Sequence, residues 1–352
     1  MAHYNKSTKN RIAIVITSFK DEKLVLECVD SILAAERSGT EIIVVDCMSR
    51  ALTKIFKKKY GKKVHLIHLN NDVGVAEQRN IGFRYSMRFS DYTLFLDNDT
   101  EIQKNAIKKL SEALTAAPQY SIFQPKIVFL DDKNRTSEIG LNSNIFGIPK
   151  PNRNNSITPF FVSGSAMLFK NNLLKEIGGF DSDLEFGAEE LDLTWRARLL
   201  GYDIKSAPEA VVCHRTQGTR NRLSSARLYM GLRNTIRMLL KNYGSPTNLI
   251  FAVLLIVRTC LESVLLIFTS KVTRSFENNV AILATSQNSF PKLIIGFVQA
   301  ILWNISKMKD TINQHNRIQA TRVVEDRKII RLMRKNDLIF VSPAYHKISR
   351  SL

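Results

Sequence analysis

Strand-like and helix-like signals alternate across the first 96 residues, and no other feature constrains the fold as strongly. Ile12 to Thr17, Glu41 to Asp46 (EIIVVD), Val64 to Leu69 and Tyr92 to Leu96 are short apolar or β-branched runs of the kind that form buried strands. Between them, Asp21 to Ala35, Leu52 to Tyr60 and Asp72 to Phe89 carry helical spacing, the first through Leu24, Val25, Cys28, Ile32 and Leu33. Strands alternating with helices predict an α/β fold built on a parallel, doubly wound sheet. Ligands of such sheets bind at the carboxyl ends of the strands. Asp97-Asn98-Asp99 follows the fourth strand directly and falls at such an end.

The pattern loosens further on. Asn134 to Thr158 is rich in Asn, Ser, Pro and Gly and reads as a long loop. Pro159 to Phe169 is apolar with a break at Gly164, and Asn172 to Ile177 is a short helix ending at Gly178-Gly179. Glu189 to Leu200 is a helix ending at Gly201, and Ala207 to His214 is the last strand. No internal repeat is evident.

Charge divides the chain. The 352 residues carry 51 Lys/Arg and 32 Asp/Glu, a formal charge of +19. Residues 1–214 hold 29 of the basic and 26 of the acidic groups; residues 215–352 hold 22 and 6. A nearly neutral front therefore precedes a cationic back, which favours an anionic surface. Ser224 to Tyr243 reads as a basic helix. Leu249 to Thr269 is apolar over the length of a membrane span and holds Arg258 and Glu262 at a pairing distance of one helical turn. Its 14 Leu, Ile, Val and Phe residues favour insertion by about 6 kcal/mol, and the two charges offset roughly that amount. Leu293 to Ile305 is too short to span upright. Basic flanks at Arg220 to Lys241 and Lys307 to Arg334 place both outer ends on the cytosolic side if both stretches cross. A re-entrant hairpin, a pair of in-plane helices and two buried helices of a soluble domain or dimer interface remain open.

The N-terminus, Met1 to Arg11, has no apolar core of a secretory signal. Cys28, Cys47, Cys213 and Cys260 follow no metal-type spacing and read as reduced core thiols. Between Arg215 and Lys241 the only aromatic residue is Tyr229, so a base-stacking nucleic-acid surface is not expected.

Several segments could carry chemistry. Two carboxylates one residue apart at a strand end can hold a hard divalent cation, although a plain polar turn has the same sequence. Gly74 to Gly82 (GVAEQRNIG) opens a helix with small residues and an Arg79 in apolar surroundings; it suits a helix beneath a nucleotide or one packed tightly on the sheet. Gly178-Gly179-Phe180-Asp181 leads to the acidic start Glu189-Glu190-Leu191-Asp192. Acids there complement the helix dipole, or leave one carboxylate as a general base. His214 closes the last strand as a structural histidine, a metal ligand or a phosphate contact.

Taken in order, Thr17-Ser18-Phe19, VVD at Asp46, NDVGVAEQRNIG, LFLDND, SGSAML at Ser163 to Leu168, GGFD, EELDLTWRARLLGY and His214 resemble glycosyltransferase family 2, the inverting GT-A enzymes. The resemblance covers Arg11 to about Gly244. It implies a GT-A fold, a Rossmann-like, mostly parallel sheet flanked by helices. That domain would span 11–215, after a tail at 1–10. A basic helical extension at 216–247, an apolar helical segment at 248–306 and a basic end at 307–352 would follow. It implies a nucleotide-sugar donor contacted by Thr17, Ser18, Phe19, Asp46, Arg79, Asp97 and Gly164. A divalent cation, Mn²⁺ or Mg²⁺, would sit on Asp99 with Asp97 and His214, and Glu190 would stand at the position of the family's catalytic Asp.

Two departures matter. The family's acidic pair is Glu-Asp, whereas Glu189-Glu190 stands here, so the base could be Glu190, Glu189 or Asp192. The polar run that usually follows the second strand is replaced by Cys47-Met48-Ser49-Arg50, which blurs nucleotide identity. The expected reaction is transfer of a sugar to an acceptor hydroxyl on a lipid-linked or membrane-proximal glycan, at the cytoplasmic face of a membrane, with a homo-oligomer left open. A sugar-phosphate nucleotidyltransferase is the nearest alternative, but Thr17-Ser18-Phe19-Lys20-Asp21 lacks its Gly-rich basic loop. A non-catalytic basic protein that binds membrane or nucleic acid is the other.

Overall fold

The computed structural model describes residues 10–35, 40–152, 158–215, 225–268 and 290–335. The chain forms two compact units. The first comprises the described residues of Met1–Gly140, Pro151–Glu185 and Tyr202–Arg215; the second comprises those of Leu141–Lys150, Phe186–Gly201 and Thr216–Leu352.

The first unit is a sheet with helices. The strands β1 (Ile12–Phe19), β2 (Glu41–Cys47), β3 (Val64–Leu69) and β4 (Tyr92–Asp97) run parallel in the order β3-β2-β1-β4, with α1 (Glu22–Ala35), α2 (Arg50–Lys59) and α3 (Gly74–Ser86) as crossovers. This is the predicted alternation, with boundaries moved by a residue or a few. The sheet then continues through β10 (Ala166–Lys170), β6 (Ile122–Phe129), β11 (Ile204–His214) and β5 (Thr100–Ile102), with β7 (Thr136–Glu138) on β6. β10 lies antiparallel between β4 and β6, and β5 is antiparallel to β11. The sheet is thus mostly parallel, not wholly so. The segment 134–158, expected as loop, holds β7, β8 (Leu141–Ser143) and β9 (Pro149–Pro151), while 153–157 lie outside the described residues. Short polar strands escape a reading based on apolar runs.

An apolar core cluster joins Ile14, Ile16, Ile42, Val44 and Leu94 of the sheet to Val25, Cys28 and Ile32 of α1, Leu52 and Phe56 of α2, and Leu110 and Leu114 of α4 (Ala106–Ala116). The opposite face is covered by α3. There Gly82 lies so close to β1 that an added Cβ would come 2.2 Å from Val15 Cγ1. The small residues of α3 therefore serve helix-on-sheet packing.

The second unit is helical: α5 (Asn171–Glu176) belongs to the first unit, and α6 (Glu189–Leu199), α7 (Ser225–Asn242), α8 (Thr247–Phe268), α9 (Phe290–Ser306), α10 (Met308–Thr321) and α11 (Asp326–Lys335) to the second. Its interior packs Trp195 edge-to-face with Tyr243 and Tyr243 edge-to-face with Phe251, with ring centroids 4.7 and 4.8 Å apart. The cations of the predicted basic helix are largely inside it. Arg233, Arg237 and Lys241 recur every fourth residue along α7 and are 3%, 0% and 0% exposed. Arg233 lies 4.2 Å from the Trp303 ring, and Arg237 donates to Asp310 and Thr311. The expected basic flank of a membrane segment is therefore spent in packing at these three positions. The apolar stretch from Leu249 folds as α8, and Thr269 and the side chain of Glu262 lie outside the described residues. Among the described residues, no helix is long and apolar enough to cross a membrane.

On an open helix, Gly82→Ala should stabilise by about 1 kcal/mol. Here the clash with Val15 reverses the sign, and the expected outcome is a loss of about 1–3 kcal/mol, read as a lowered urea midpoint at unchanged slope.

Candidate active site at the strand ends

The carboxyl ends of β1, β2 and β3 place Ser18, Asp46 and His68 side by side in register. Asp46 is fully buried and accepts from the backbone N–H of Ser49 and from His68 Nδ1, both at 3.0 Å. Asp46 Oδ1, His68 Nε2, Ser18 Oγ and Ser49 Oγ are buried polar atoms with no protein partner. Such atoms are costly unless a bound polar group or water satisfies them. Asp46 and Ser18 are among the donor contacts that the family resemblance implies; His68 was missed. Its signal was present, since it sits second from last in an apolar strand, but only the register with Asp46 gives it meaning. Phe19, at 42% exposure, is the aromatic surface at the mouth of β1.

One strand further, Thr17 pairs in register with Asp97, the last residue of β4. Arg79 on α3 is 2% exposed and donates to Asp97 Oδ1 at 2.9 Å and to the Gly164 carbonyl at 3.0 Å. α3 is itself anchored to the GGFD turn. Asn80 donates to the Phe180 carbonyl and accepts from the Phe180 N–H, and Gly179 sits at φ +71° with its missing Cβ 2.6 Å from Asn80 Oδ1. GGFD thus holds the helix that carries Arg79.

Asn98 is the turn between two carboxylates. Asp99 lies 3.3 Å from His214 Nε2 at the end of β11. One ligand atom from each of Asp97, Asp99 and His214 can be chosen so that all lie within 4.8 Å of one another. Two carboxylates and an imidazole so close together are a fitting donor set for a hard or borderline divalent cation. Burial alone would lower the His214 pKa, but the hydrogen bond and charge of Asp99, with Asp97 and Glu138, raise it overall. Below this turn, the Cys28 thiol is 3.8 Å from both the Asp97 carbonyl and Thr100 Oγ1, and burial pushes it up to about 12.

The remaining candidates lie on α6, in the second unit. Its first turn carries Glu189, Glu190 and Asp192. Just before it, Glu185 and Ala188 adopt positive φ of 53° and 70°, a conformation costly for non-glycine residues and often found at functional turns. Glu190 is half-buried and Glu189 buried. Asp192 has no exposure; its oxygens take Arg196 at 2.9 Å, Lys241 at 3.1 Å and Asn242 at 3.1 Å. A general base must reach the proton it removes, and this carboxylate is instead the anchor of α6.

Residues 10–230 match the family described as glycosyltransferase like family 2. The chain belongs to that family. Poly-beta-1,6-N-acetyl-D-glucosamine synthase of Staphylococcus epidermidis is 25% identical over 209 residues, 57% of this chain and 48% of that protein. The Staphylococcus aureus (strain COL) protein of the same name is 23% identical over the same shares. The chain thus spans about half the length of these curated relatives. Among solved structures, GalNAc-T7 with UDP, GalNAc and Mn²⁺ aligns over 66% of this chain and 48% of its own, at TM-score 0.54 and 16% identity. S. aureus TarS 1–349 aligns over 93% of this chain and 92% of its own, at TM-score 0.50 and 16% identity. The sheet is that of the GT-A glycosyltransferases.

Two outcomes follow. Asp192→Asn should lower stability by about 3–5 kcal/mol, because it leaves buried cations uncompensated; Glu190→Gln, measured by the same denaturant titration, should change it far less. Cys28, Cys47 and Cys213 should resist iodoacetamide at pH 8 in the folded protein and react after unfolding, as read by mass spectrometry; native labelling of Cys28 would contradict its burial.

Proposed function

We propose that this protein is an inverting, metal-dependent glycosyltransferase that moves a sugar from a nucleoside-diphosphate sugar to an acceptor hydroxyl. The observation that carries the reading is the Asp97, Asp99 and His214 cluster at the strand ends, beside the buried polar row of Ser18, Asp46 and His68. Thr17, Ser18, Phe19 and Asp46 contact the nucleoside, with His68 and Ser49 completing the edge that meets the base. Arg79 holds Asp97 toward the donor sugar or ribose, and Gly164 gives its carbonyl to the same guanidinium. When bound by Asp99 with Asp97 and His214, a divalent cation supplies positive charge against a diphosphate. Glu190 accepts the proton of the acceptor hydroxyl as its oxygen bonds to the anomeric carbon. The bond from that carbon to the diphosphate oxygen breaks on the opposite face, so the configuration inverts. Glu189, next to it and more buried, is the second choice. The GalNAc-T7 and TarS likenesses support the fold under this reading, and the polysaccharide synthases support a glycan as acceptor class.

The acceptor is a lipid-linked or membrane-proximal glycan, and the enzyme works against the anionic cytoplasmic face of a membrane as a peripheral protein. The net charge of residues 215–352 supports this location.

The test is donor hydrolysis and transfer across UDP-, GDP- and dTDP-sugars, with and without Mn²⁺. Asp99→Ala should abolish metal-stimulated turnover. Glu190→Gln should lower kcat about 100- to 10,000-fold with little change in donor KM. Metal-independent turnover or a fully active Asp99→Ala enzyme sinks the mechanism, and an unaffected Glu190→Gln with a dead Glu189→Gln moves the base by one residue.

A further inference from the structure

The helices around α7 present an apolar surface that the glycosyl-transfer chemistry does not use. α8 exposes Leu249 (57%), Ile250 (51%), Val253 (56%), Leu254 (45%) and Val257 (48%). These positions advance by one and three residues in turn, which keeps them on one side of a helix. The other side is buried: Ala252 and Leu255 are each 5% exposed, and Phe251 meets Tyr243 edge-to-face. α9 repeats the arrangement with Ile294, Ile295, Val298, Leu302 and Ile305, exposed by 45–59%, opposite the buried Ala300 and Asn304. Asn304 donates to the Arg233 carbonyl, which fixes that buried side against α7. Among the described side chains of α8 and α9, the exposed ones are these ten aliphatic groups with only Gln299 and Ser306 polar and none charged. Isolated surface aliphatics need no explanation, but an aliphatic stripe on each of two helices that both pack on α7 marks an interaction face.

Charge identifies the occupant. In α10 and α11, Lys309, Arg317, Arg327, Lys328 and Arg331 are exposed, while the exposed acids from Met308 to Met333 are Asp310 and Glu325. Asp310 is bound by Arg237 at 2.6 Å. The helical unit therefore shows solvent an excess of cations on α10 and α11 and uncharged aliphatic stripes on α8 and α9. A second copy would set these cations against themselves. A bilayer with anionic headgroups offers hydrocarbon to the stripes and negative charge to the lysines and arginines.

We propose that the exposed faces of α8 and α9, with the cations of α10 and α11, are the surface on which this protein docks in plane on an anionic bilayer. The inference deepens the membrane part of the proposed function and rests on it. In-plane docking also suits the sequence. Arg258, which interrupts the apolar run and makes a crossing costly, lies on a different side of α8 and stacks 5.7 Å from the Phe146 ring.

The experiment is co-flotation of the full chain with phosphatidylcholine vesicles and with vesicles containing phosphatidylglycerol, alongside sedimentation velocity and donor hydrolysis in detergent-free solution. Wild type should float with the anionic vesicles. Val253→Asp/Leu302→Asp should stay in solution with donor hydrolysis unchanged, and each of Arg327→Glu, Lys328→Glu and Arg331→Glu should weaken anionic-vesicle binding about fivefold or more. Wild type that ignores both vesicles, or Val253→Asp/Leu302→Asp that floats as wild type does, overturns the proposal. So does a wild-type dimer that the aspartates convert to a monomer without lipid, because the face is then an interface between copies. Failed flotation with intact hydrolysis rejects this surface and leaves the glycosyltransferase intact. Floating protein without hydrolysis of any donor rejects the enzymatic reading and retains the surface.

Discussion

Arg79 is a cation held at 2% exposure beneath the end of a strand, and the rest of the strand-end site depends on how it is compensated. Burying an unpaired charge costs several kcal/mol or more, so Asp97 and the Gly164 carbonyl must stay where they are. The ion pair orients one carboxylate of the acidic triplet and leaves the turn at Asn98 to present the other to His214. Its support reaches back through α3: Gly82 lets the helix lie against Val15, and Asn80 ties it to the glycine-rich turn at Gly178-Gly179. Sequence segments that look like separate motifs are parts of one brace.

The second unit solves a different electrostatic problem. Its sequence is strongly cationic, and at first sight every Lys and Arg is available to an anionic partner. The structure divides them. Arg233, Arg237 and Lys241 lie inside, stacked on Trp303 or paired with Asp310 and Asp192, and they anchor α7 to its neighbours. Among the described residues, the exposed cations of its helices are those of α10 and α11. Asp192 changes role by the same logic. It belongs to the acidic start of α6, yet Lys241 and Arg196 close it off, whereas Glu190 beside it is only half-buried.

How much was legible in sequence follows from the range of each interaction. The parallel half of the sheet was, because β1, β2 and β4 are buried along nearly their whole length and read as continuous apolar runs, with the half-buried edge strand β3 carrying the same signal. The strand β10 was seen as an apolar stretch, but not its reversed direction, which depends on pairing with β4 and β6. β7 to β9 were read as loop because they are three residues each and polar or proline-bearing. Among site residues, Asp97, Asp99 and His214 were named from order and type, whereas His68 was passed over. Its partner Asp46 is 22 residues away in sequence and adjacent only in the sheet.

By itself, the sequence determined the α/β class, the strand end that carries the acidic triplet, the family, and the division into a neutral front and a cationic back. These rest on local periodicity and on motif order, which are one-dimensional quantities. Tertiary structure alone decided which charges are buried, which carboxylate of the α6 start is sealed, and which sides of the apolar helices face outward. Burial and pairing are properties of neighbours across the fold, and a side chain acquires them only when the chain has closed around it.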